Sequence, residues 1–443
     1  MSIKPQGNIK EKLIGYCLSY QKDMMPISVD FRELVKELSK NERYTHLIHS
    51  YPAKLLTQIP YFFLNTDAFC PKDGIVLDPF CGAGTVLLEA VLSGRNALGA
   101  DANPLASLIS MVKTRYIPKN ELQETLNKVM QRANNMKVMI KYPDAVSVWF
   151  SQRTLPQLSA LQLAIQEIDN KEKKEFFELC FSSVVRKVSF ADPSISVPVH
   201  WKPERFSNNP EKMNEVRRKL KALETIDVYE RFKTICLVNI DRIESLNGQI
   251  RDGVEAKIVS DDARNLGLDD DSVDMILTSP PYAGAQKYIR ASWLNLYWLN
   301  RVELGDIKNL KKRNIGREDY KKAEIFECYT AITAADKVLK AIYQNGKKDR
   351  AFLVANYLNE MKIALDESCR VLKVGGYMVI VIGNNTVCGQ NFDTQDYLTT
   401  YLESKGMRLQ FKLIDDIKSY GLMTKRNKTA DMITREWVLV FKK

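Results

Sequence analysis

Short apolar runs alternate along this chain with segments of helical periodicity. Residues 75–77 form a β-branched apolar run, and from Thr85 the apolar positions change to the i, i+3, i+4 spacing of a helix that ends at Gly94. Further apolar runs follow at residues 97–101, 256–260, 272–278, 377–382, 408–414 and 436–441. This order predicts an α/β fold with a mostly parallel sheet of about seven strands.

A long segment without strand patterning interrupts this sheet after its second strand. In residues 117–255 the apolar positions mostly follow the spacing of a helix. The predicted helices cover residues 119–139, 155–168, 172–188 and 212–246. We therefore divide the chain into residues 1–116, which hold N-terminal helices and the first half of the sheet, a helical insertion at 117–255, and the second half of the sheet at 256–443. Within the first part, residues 1–43 predict one or two helices.

Composition narrows the class of protein. Hydrophobic residues make up 45% of the 443 positions, enough for a globular core, and the formal net charge of +11 suits a polyanionic partner such as DNA or RNA. The eight cysteines are scattered without a Cys-x-x-Cys pair, which indicates free thiols in a reducing cytoplasm and no zinc site. The sequence shows neither a signal peptide nor a membrane-spanning run, so we expect a soluble cytoplasmic protein.

The turn after the first strand carries two glycines, Gly82 and Gly84, which allow the backbone to approach a ligand closely. This turn is not the dinucleotide-binding fingerprint, because Leu87 occupies the position of the third glycine. A Gly-Lys-Ser/Thr triphosphate-binding motif is also absent from the sequence. The alternative interpretation is an ordinary tight turn between a strand and a helix.

Carboxylates follow two of the predicted strands. Asp101 lies about 20 positions after the glycine turn, where an acidic residue commonly accepts hydrogen bonds from a ribose hydroxyl pair. Its alternative role is the N-cap of the helix that begins at Pro104, but Asn103 suits that role better. Asp262 follows the strand at residues 256–260 in an acidic turn. Both carboxylates are expected at the ligand-binding edge of the sheet.

The most informative motif is Ser279-Pro280-Pro281-Tyr282, directly after the strand at residues 272–278. The two prolines stiffen the loop. The Ser279 hydroxyl and the carbonyl that follows it could accept the two hydrogens of an exocyclic amine on a nucleobase, and Tyr282 could stack on that base. The alternative is a proline-stiffened loop without chemistry.

Together these segments resemble the S-adenosylmethionine-dependent DNA amino-methyltransferases, whose cofactor loop typically runs Asp-Pro-Phe-x-Gly-x-Gly-Thr. The resemblance implies a class I, Rossmann-like fold in which the last strand inserts antiparallel, with S-adenosyl-L-methionine as cofactor and no metal. It implies contact of Asp262 with the adenine amino group. The cofactor-binding residues it implies are Tyr51, Pro52, Lys54, Asp78, Pro79, Phe80, Gly82, Gly84, Thr85, Asp101, Ala102, Asn103, Asp262 and Ala263.

Serine at the first motif position implies transfer to the N4 amine of a flipped cytosine in double-stranded DNA, because adenine-N6 enzymes usually carry Asp or Asn there. Adenine-N6 transfer, guanine-N2 transfer to RNA and a non-catalytic DNA-binding scaffold are the alternatives. Cytosine-C5 chemistry is excluded, because no cysteine follows a proline. If the protein acts in a restriction-modification system, we expect a cognate restriction endonuclease as its partner. We expect its location in the cytoplasm to be associated with the nucleoid. One departure from the family pattern is that the Ser279 motif follows the glycine turn, whereas cytosine-N4 enzymes often have it before that turn. A second departure is the position of the insertion between the second and third strands, so either residues 117–255 or residues 301–350 could form the target-recognition region.

Two basic segments are candidates for DNA contact. In the loop at residues 189–206, basic side chains alternate with aromatic ones. This pattern suits phosphate contact and base stacking. The alternative is a loop that packs on its own aromatic side chains. The segment at 301–350 begins with a basic run, predicted as a solvated loop. The candidate DNA-binding residues are Lys202, Arg205, Lys308, Lys311, Lys312 and Arg313. His46 and His49 lie at helical spacing, but a metal site is not expected without a third ligand.

Overall fold

The computed structural model of the protein describes residues 9–38, 43–52, 54–282, 288–317, 328–417 and 433–443. Its strands are β1 Ile27–Val29, β2 Ile75–Asp78, β3 Asn96–Ala100, β4 Ala256–Ser260, β5 Val273–Thr278, β6 Leu372–Ile382, β7 Asn385–Val387, β8 Gln390–Phe392, β9 Arg408–Asp416 and β10 Arg435–Lys442.

The helices of the first half and the insertion are α1 Ile9–Asp23, α2 Phe31–Leu34, α3 Gln58–Leu64, α4 Thr85–Leu92, α5 Pro104–Lys113, α6 Lys119–Asn135, α7 Asp144–Ser147, α8 Thr154–Gln166, α9 Lys171–Lys187, α10 Pro210–Glu224 and α11 Val228–Glu244. Those of the second half are α12 Tyr288–Trp298, α13 Ile307–Arg313, α14 Thr333–Gln344, α15 Lys348–Val371 and α16 Thr394–Ser404.

The main sheet has the strand order β1-β9-β10-β6-β5-β2-β3-β4. Strands β2 to β6 pair in parallel, whereas β10 lies between β6 and β9 and is antiparallel to both. Apolar clusters cover both faces of this sheet, as is usual for parallel strands. The predicted α/β fold of the class I methyltransferase type is therefore confirmed, including its antiparallel last strand.

Three local predictions differ from the structure. The described sheet has eight strands, because β1 pairs in parallel with β9 inside the segment expected to be helical. A three-residue edge strand is too short to show a periodicity of its own. The basic run expected to be a loop forms α13. The helix predicted over residues 212–246 is two helices, because Asp227 caps a new helix by accepting hydrogen bonds from the amides of Tyr229 and Glu230.

The helices α6 to α11 lie between β3 and β4 in the chain and pack into one apolar core with α5 and α12. Large aromatic side chains fill this core, among them Phe176, Phe181, Phe232 and Trp298. The insertion therefore rests directly on α5 and α12. Its role as a separate target-recognition unit stays a prediction.

The glycine turn is braced by α5. Gly82 and Gly84 have φ angles of +47° and +68°, in the left-handed region that favours glycine. The Ser110 hydroxyl donates to the Gly82 carbonyl at 3.2 Å, and the buried Lys113 ammonium donates to the Ala83 carbonyl. These contacts satisfy carbonyls of a turn that has no regular secondary structure.

We expect Gly84→Ala to destabilise the protein far more than Gly94→Ala. A Cβ atom at Gly84 would lie 2.8 Å from the Ser110 Cα atom, whereas nothing lies within 4 Å of one at Gly94, where φ is +82°. The left-handed conformation alone costs about 1–2 kcal/mol, and overpacking adds about 1–3 kcal/mol. Urea unfolding of both variants measures the difference, and equal losses of stability would contradict the close packing at Gly84.

Candidate active site

The carboxyl ends of three neighbouring strands form the centre of the site. Strand β2 pairs in parallel with β3 on one side and β5 on the other, so Asp78, Asp101 and Ser279 leave the same edge of the sheet. The Thr278 hydroxyl donates to Asp78 Oδ1 at 2.6 Å, and the amide of Phe80 donates to the same oxygen at 3.1 Å. The buried Asp78 carboxyl group therefore ties the glycine turn to the start of the Ser279 motif.

An open cleft of about 630 Å³, including space open to solvent, lies at this edge of the sheet. The turn after β2 and the end of β3 line it from the first half of the chain, and the turn after β4 and the Ser279 motif line it from the second half. The full lining comprises Tyr51, Pro79, Phe80, Gly82, Asp101, Ala102, Asp262, Ala263, Ser279, Pro281, Tyr288, Arg313, Asn314 and Ile315.

Asp101 is held rigidly on the wall of this cleft. Its Oδ2 accepts a hydrogen bond from the Gly82 amide at 2.9 Å, and its Oδ1 accepts one from the Asn103 amide at 2.8 Å. Burial raises the pKa of Asp101 to about 6, although these two hydrogen bonds oppose the shift. The N-cap of α5 is Asn103, whose side chain accepts from the Leu105 amide at 3.1 Å. Asp101 is thus not needed as a helix cap.

Asp262 also lines the cleft and forms a bidentate pair with Arg264. Arg264 Nε donates to Asp262 Oδ1 and Arg264 Nη2 donates to Asp262 Oδ2, each at 2.8 Å. Burial raises the pKa of Asp262, but the hydrogen bonds and charge of Arg264 outweigh burial and leave it below its ordinary value. Asp262 is therefore ionised at neutral pH, with its orientation fixed by the guanidinium.

The Ser279 motif faces the cleft with Ser279 and Pro281. Tyr282 lies behind them and donates its hydroxyl hydrogen to Glu436 Oε1 at 2.8 Å. Gly383 leaves room for this ring, because a Cβ atom there would lie 3.0 Å from Tyr282 Cε2. The Tyr282 ring does not line the cleft, and its predicted stacking on a base stays a prediction.

The aromatic wall of the cleft is formed by Tyr51 and Tyr288, whose rings stack at 6.3 Å with an angle of 18° between their planes. The Asn103 amide group donates to the Tyr51 hydroxyl and to Ser292 Oγ, at 3.1 Å each. The same residue that caps α5 therefore positions this aromatic wall.

The sequence is similar to those of known DNA methyltransferases. The sequence model of the N6/N4 methyltransferase family, described as DNA methylase, matches residues 28–111. The type II methyltransferase M.MvaI of Kocuria varians is 24% identical over 388 residues, which cover 80% of this chain and 82% of that protein. The type II methyltransferase M.BsoBI of Geobacillus stearothermophilus is 21% identical over 413 residues, which cover 82% and 77%. These similarities support an amino-methyltransferase of the N4/N6 family.

Among solved structures, a SAM-dependent methyltransferase of Methanosarcina mazei is similar to this methyltransferase over 85% of the chain and 94% of its own length, with 10% sequence identity and a TM-score of 0.30. S-adenosylmethionine is the cofactor of this family, as the sequence resemblance implied. The family model ends at residue 111, so it includes the glycine turn and Asp101 but not the Ser279 motif.

Several predicted site residues lie outside the cleft of this methyltransferase. Asp78, Asn103, Thr85 and Pro280 are buried behind its walls, and Gly84 packs on Ser110. Pro52 lines a second cavity, and the Lys54 ammonium donates to the His46 carbonyl at 3.2 Å. Direct contact of these residues with the cofactor therefore stays a prediction.

The predicted DNA-binding residues lie at two places, the helix α13, which ends at Arg313, and the proline-rich loop at residues 189–206. Arg313 lines the cleft and pairs with Asp261 at 2.5 Å, while Lys308, Lys311 and Lys312 lie on α13. In the proline-rich loop, Arg205 is 3.9 Å from the Asp192 carboxylate, and Lys202 is exposed. Part of the predicted basic segment, residues 318–327, lies outside the described residues. DNA contact by any of these residues stays a prediction.

Sequence reasoning missed Tyr288, Asn314 and Ile315 as lining residues. Tyr288 begins α12, six positions beyond the Ser279 motif, and an aromatic residue so close to the motif was a usable signal. Asn314 and Ile315 follow α13, in a segment where the sequence shows only charge. Packing brings them to the cleft.

The histidine pair has local structural partners. His46 Nε2 lies 2.7 Å from Glu89 Oε1, and burial lowers the pKa of His46 to about 4. His49 contacts the Ser50 carbonyl and the Ser182 hydroxyl. In the part of the chain that the structure describes, no group of three or more His, Cys, Asp or Glu side chains could hold a metal ion. None of the described helices is both long and apolar enough to cross a membrane.

We expect Asp78 to make stability fall as the pH rises. Burial raises the pKa of Asp78 to about 7, from an ordinary value of 3.8. Between about pH 4 and 7 the folded protein therefore keeps a proton that the unfolded chain releases, so the free energy of unfolding decreases across this range. Asp78→Asn keeps an acceptor for Thr278 and Phe80 but cannot titrate.

The measurement is urea unfolding of the natural protein and Asp78→Asn at several pH values. The stability of the natural protein relative to the variant should fall by up to about 4 kcal/mol over this range, since one pKa unit corresponds to about 1.36 kcal/mol. Asp252→Asn, which removes an exposed carboxylate, is the control and should leave the pH dependence unchanged. Parallel curves for the natural protein and Asp78→Asn would refute the raised pKa.

Proposed function

We propose that this enzyme transfers a methyl group from S-adenosylmethionine to the N4 amine of a cytosine that is flipped out of double-stranded DNA. The observation that carries the proposal is the meeting of Asp101, Gly82 and Ser279 in one cleft. These residues come from two loops nearly two hundred positions apart in the chain. A cofactor-binding group and an amine-binding group thus face the same space.

The residues of the cleft fit the cofactor. Each Asp101 oxygen accepts one backbone hydrogen bond and keeps a lone pair, so the carboxylate can accept from both ribose hydroxyls. The Phe80 and Ile315 side chains supply apolar surface for an adenine ring, and the ionised Asp262 can accept from its amino group. A side chain at position 82 would place its Cβ atom 3.6 Å from the Tyr51 ring. Glycine at this position therefore keeps the space beside Tyr51 open.

The main contribution of the protein to this reaction is to position the reacting groups. Bound S-adenosylmethionine supplies an activated methyl group with a neutral leaving group. The exocyclic amine of cytosine is a weak nucleophile, because its lone pair is delocalised into the ring. The amine hydrogens are held by two acceptors, the Ser279 hydroxyl oxygen and the backbone carbonyl that follows Ser279. This contact turns the nitrogen lone pair towards the methyl carbon. Such orientation can lower a barrier by about 7–11 kcal/mol.

The chemistry of the serine hydroxyl supports its role as an acceptor. Ser279 lines the cleft, and its hydroxyl oxygen carries two lone pairs that can accept a hydrogen of the substrate amine. The hydroxyl hydrogen of the neighbouring Tyr282 is donated to Glu436. Serine is a neutral acceptor, which the N4 amine of cytosine matches in the family pattern.

A role in restriction-modification extends this proposal. Both relatives described above are named type II methyltransferases. Methylation by this enzyme would then protect a recognition sequence from a cognate restriction endonuclease. Expression of the enzyme in a host, followed by digestion of its DNA with nucleases of known specificity, would identify the protected sequence.

The decisive prediction concerns the methylated nucleoside. Incubation of the enzyme with labelled S-adenosylmethionine and plasmid DNA, followed by digestion to nucleosides and mass spectrometry, should yield N4-methylcytosine. Detection of N6-methyladenine instead would support the assignment as a DNA methyltransferase but reject cytosine as its target base. Label in RNA but not in DNA would reject both.

A second prediction separates the roles of the two loops. Ser279→Ala should lower the turnover number by about 100-fold or more, because the amine loses a positioned acceptor, while the dissociation constant for S-adenosylmethionine stays within about twofold. Asp101→Ala should weaken cofactor binding, because two ribose hydroxyls lose their acceptor. Calorimetry measures binding and single-turnover transfer measures chemistry. Equal losses of cofactor affinity in both variants would show that this division of roles is wrong.

A further inference from the structure

A second cavity lies beside the active-site cleft, between the insertion and α12. It encloses about 1490 Å³ of empty space, part of it open to solvent. Helix α11 lines it with residues at positions 231, 234, 235, 238 and 242, which is one face of a helix. Helix α9 adds Arg186 and Lys187, and α12 adds small and polar residues. We call this space the α9–α11 cavity.

The lining of the α9–α11 cavity carries charge of one sign. Arg186, Lys187, Arg231 and Arg242 all line it, and no acidic residue is among its lining residues. None of these four side chains forms an ion pair with a carboxylate of the described residues. Some other cations of the insertion do so, as in the pairs Arg132–Glu167 at 2.8 Å and Lys173–Glu121 at 2.7 Å, whereas Lys233 forms no such pair among the described residues. What distinguishes the four is that they line one cavity together.

The four cations have different partners within the protein. Arg186 Nη2 donates to the Asp192 and Ile195 carbonyls, while its Nη1 is buried without a hydrogen-bond partner. Arg242 donates to Asn239 Oδ1 at 2.8 Å.

The remaining two cations are exposed, and the described residues offer neither of them a carboxylate. Burial and the charges of Arg231 and Arg242 lower the pKa of Lys187. The cluster therefore costs folding energy through mutual repulsion, and an anion would relieve that cost.

The cavity also has a defined relation to the active site. Tyr51 lines both the α9–α11 cavity and the active-site cleft, and Ser292 connects the cavity wall through Asn103 to the Tyr51 hydroxyl. A nucleotide held in the cleft would thus place its own chain within reach of the cations. A DNA strand carries one phosphate for each nucleotide, and arginine and lysine are the usual phosphate ligands.

We propose that the α9–α11 cavity binds backbone phosphates of the DNA strand that carries the flipped base. This inference rests on the proposed function and extends it, because it assigns the strand-holding role to the insertion. Lys187 and Arg231 at the cavity mouth contact phosphate oxygens directly, and the buried Nη1 of Arg186 marks the inner end of the site. No covalent step is involved.

The test measures DNA binding by the full-length chain in the presence of S-adenosylhomocysteine. The variants are Lys187→Ala, Arg231→Ala and their combination, and the matched control is Lys233→Ala, an exposed lysine on the opposite face of α11. Fluorescence anisotropy with a labelled duplex at several salt concentrations gives the slope of log K against log salt. Each cavity variant should reduce this slope by about 0.9, and the double variant by about 1.8.

Two further readouts separate this proposal from a structural role and from the proposed function. Removal of either cation should leave or raise the thermal unfolding temperature, because repulsion is relieved, whereas a structural role predicts a decrease. A slope in the double variant equal to that of the natural protein, or to that of Lys233→Ala, would overturn the phosphate site. If the slope falls as expected but the methylated base is adenine, the phosphate site stands and the base assignment fails. Normal cytosine methylation with an unchanged slope rejects only the site.

Discussion

The hydrogen bond from Thr278 to the buried Asp78 carboxyl group is the contact on which the arrangement of this enzyme depends. It joins two residues 200 positions apart, at the ends of two adjacent parallel strands. Because parallel strands end at the same edge, everything that follows β2, β3 and β5 is brought to one place. The glycine turn, Asp101 and the Ser279 loop are therefore neighbours for a reason that lies in the sheet.

This arrangement concentrates carboxyl groups in a buried region. Asp78 and Asp101 lie close enough for the charge of Asp101 to raise the pKa of Asp78, in addition to burial. A buried carboxyl group is destabilising when ionised and unpaired. In the proposed function, this edge binds a ligand whose hydroxyl donors and positive sulfonium would offset that cost. Sites of this kind, where stability is sacrificed for binding, are common in enzymes.

The insertion shows the same principle with the opposite charge. Some cations elsewhere in the insertion pair with carboxylates, as Arg132 does with Glu167, whereas the cavity that faces α12 brings together four cations without such partners among the described residues. The net charge of +11 indicates a polyanionic partner but no location for it. Packing of α9 and α11 against the elements that carry Tyr51 and Ser292 decides that location, beside the cleft where chemistry is proposed.

The sequence by itself determined the strands with strong apolar patterning, the glycine turn, and the motifs at Asp101 and Ser279, because each depends on neighbours in the chain. Only the tertiary structure decided that β1 joins the sheet, that Ile315 lines the cleft, and that Arg231 and Lys187 share a cavity. These features depend on contacts between distant segments, and such contacts leave no periodicity or local motif. A three-residue strand becomes a strand through its partner β9, and a surface cation becomes part of a binding site through the helix packed beside it.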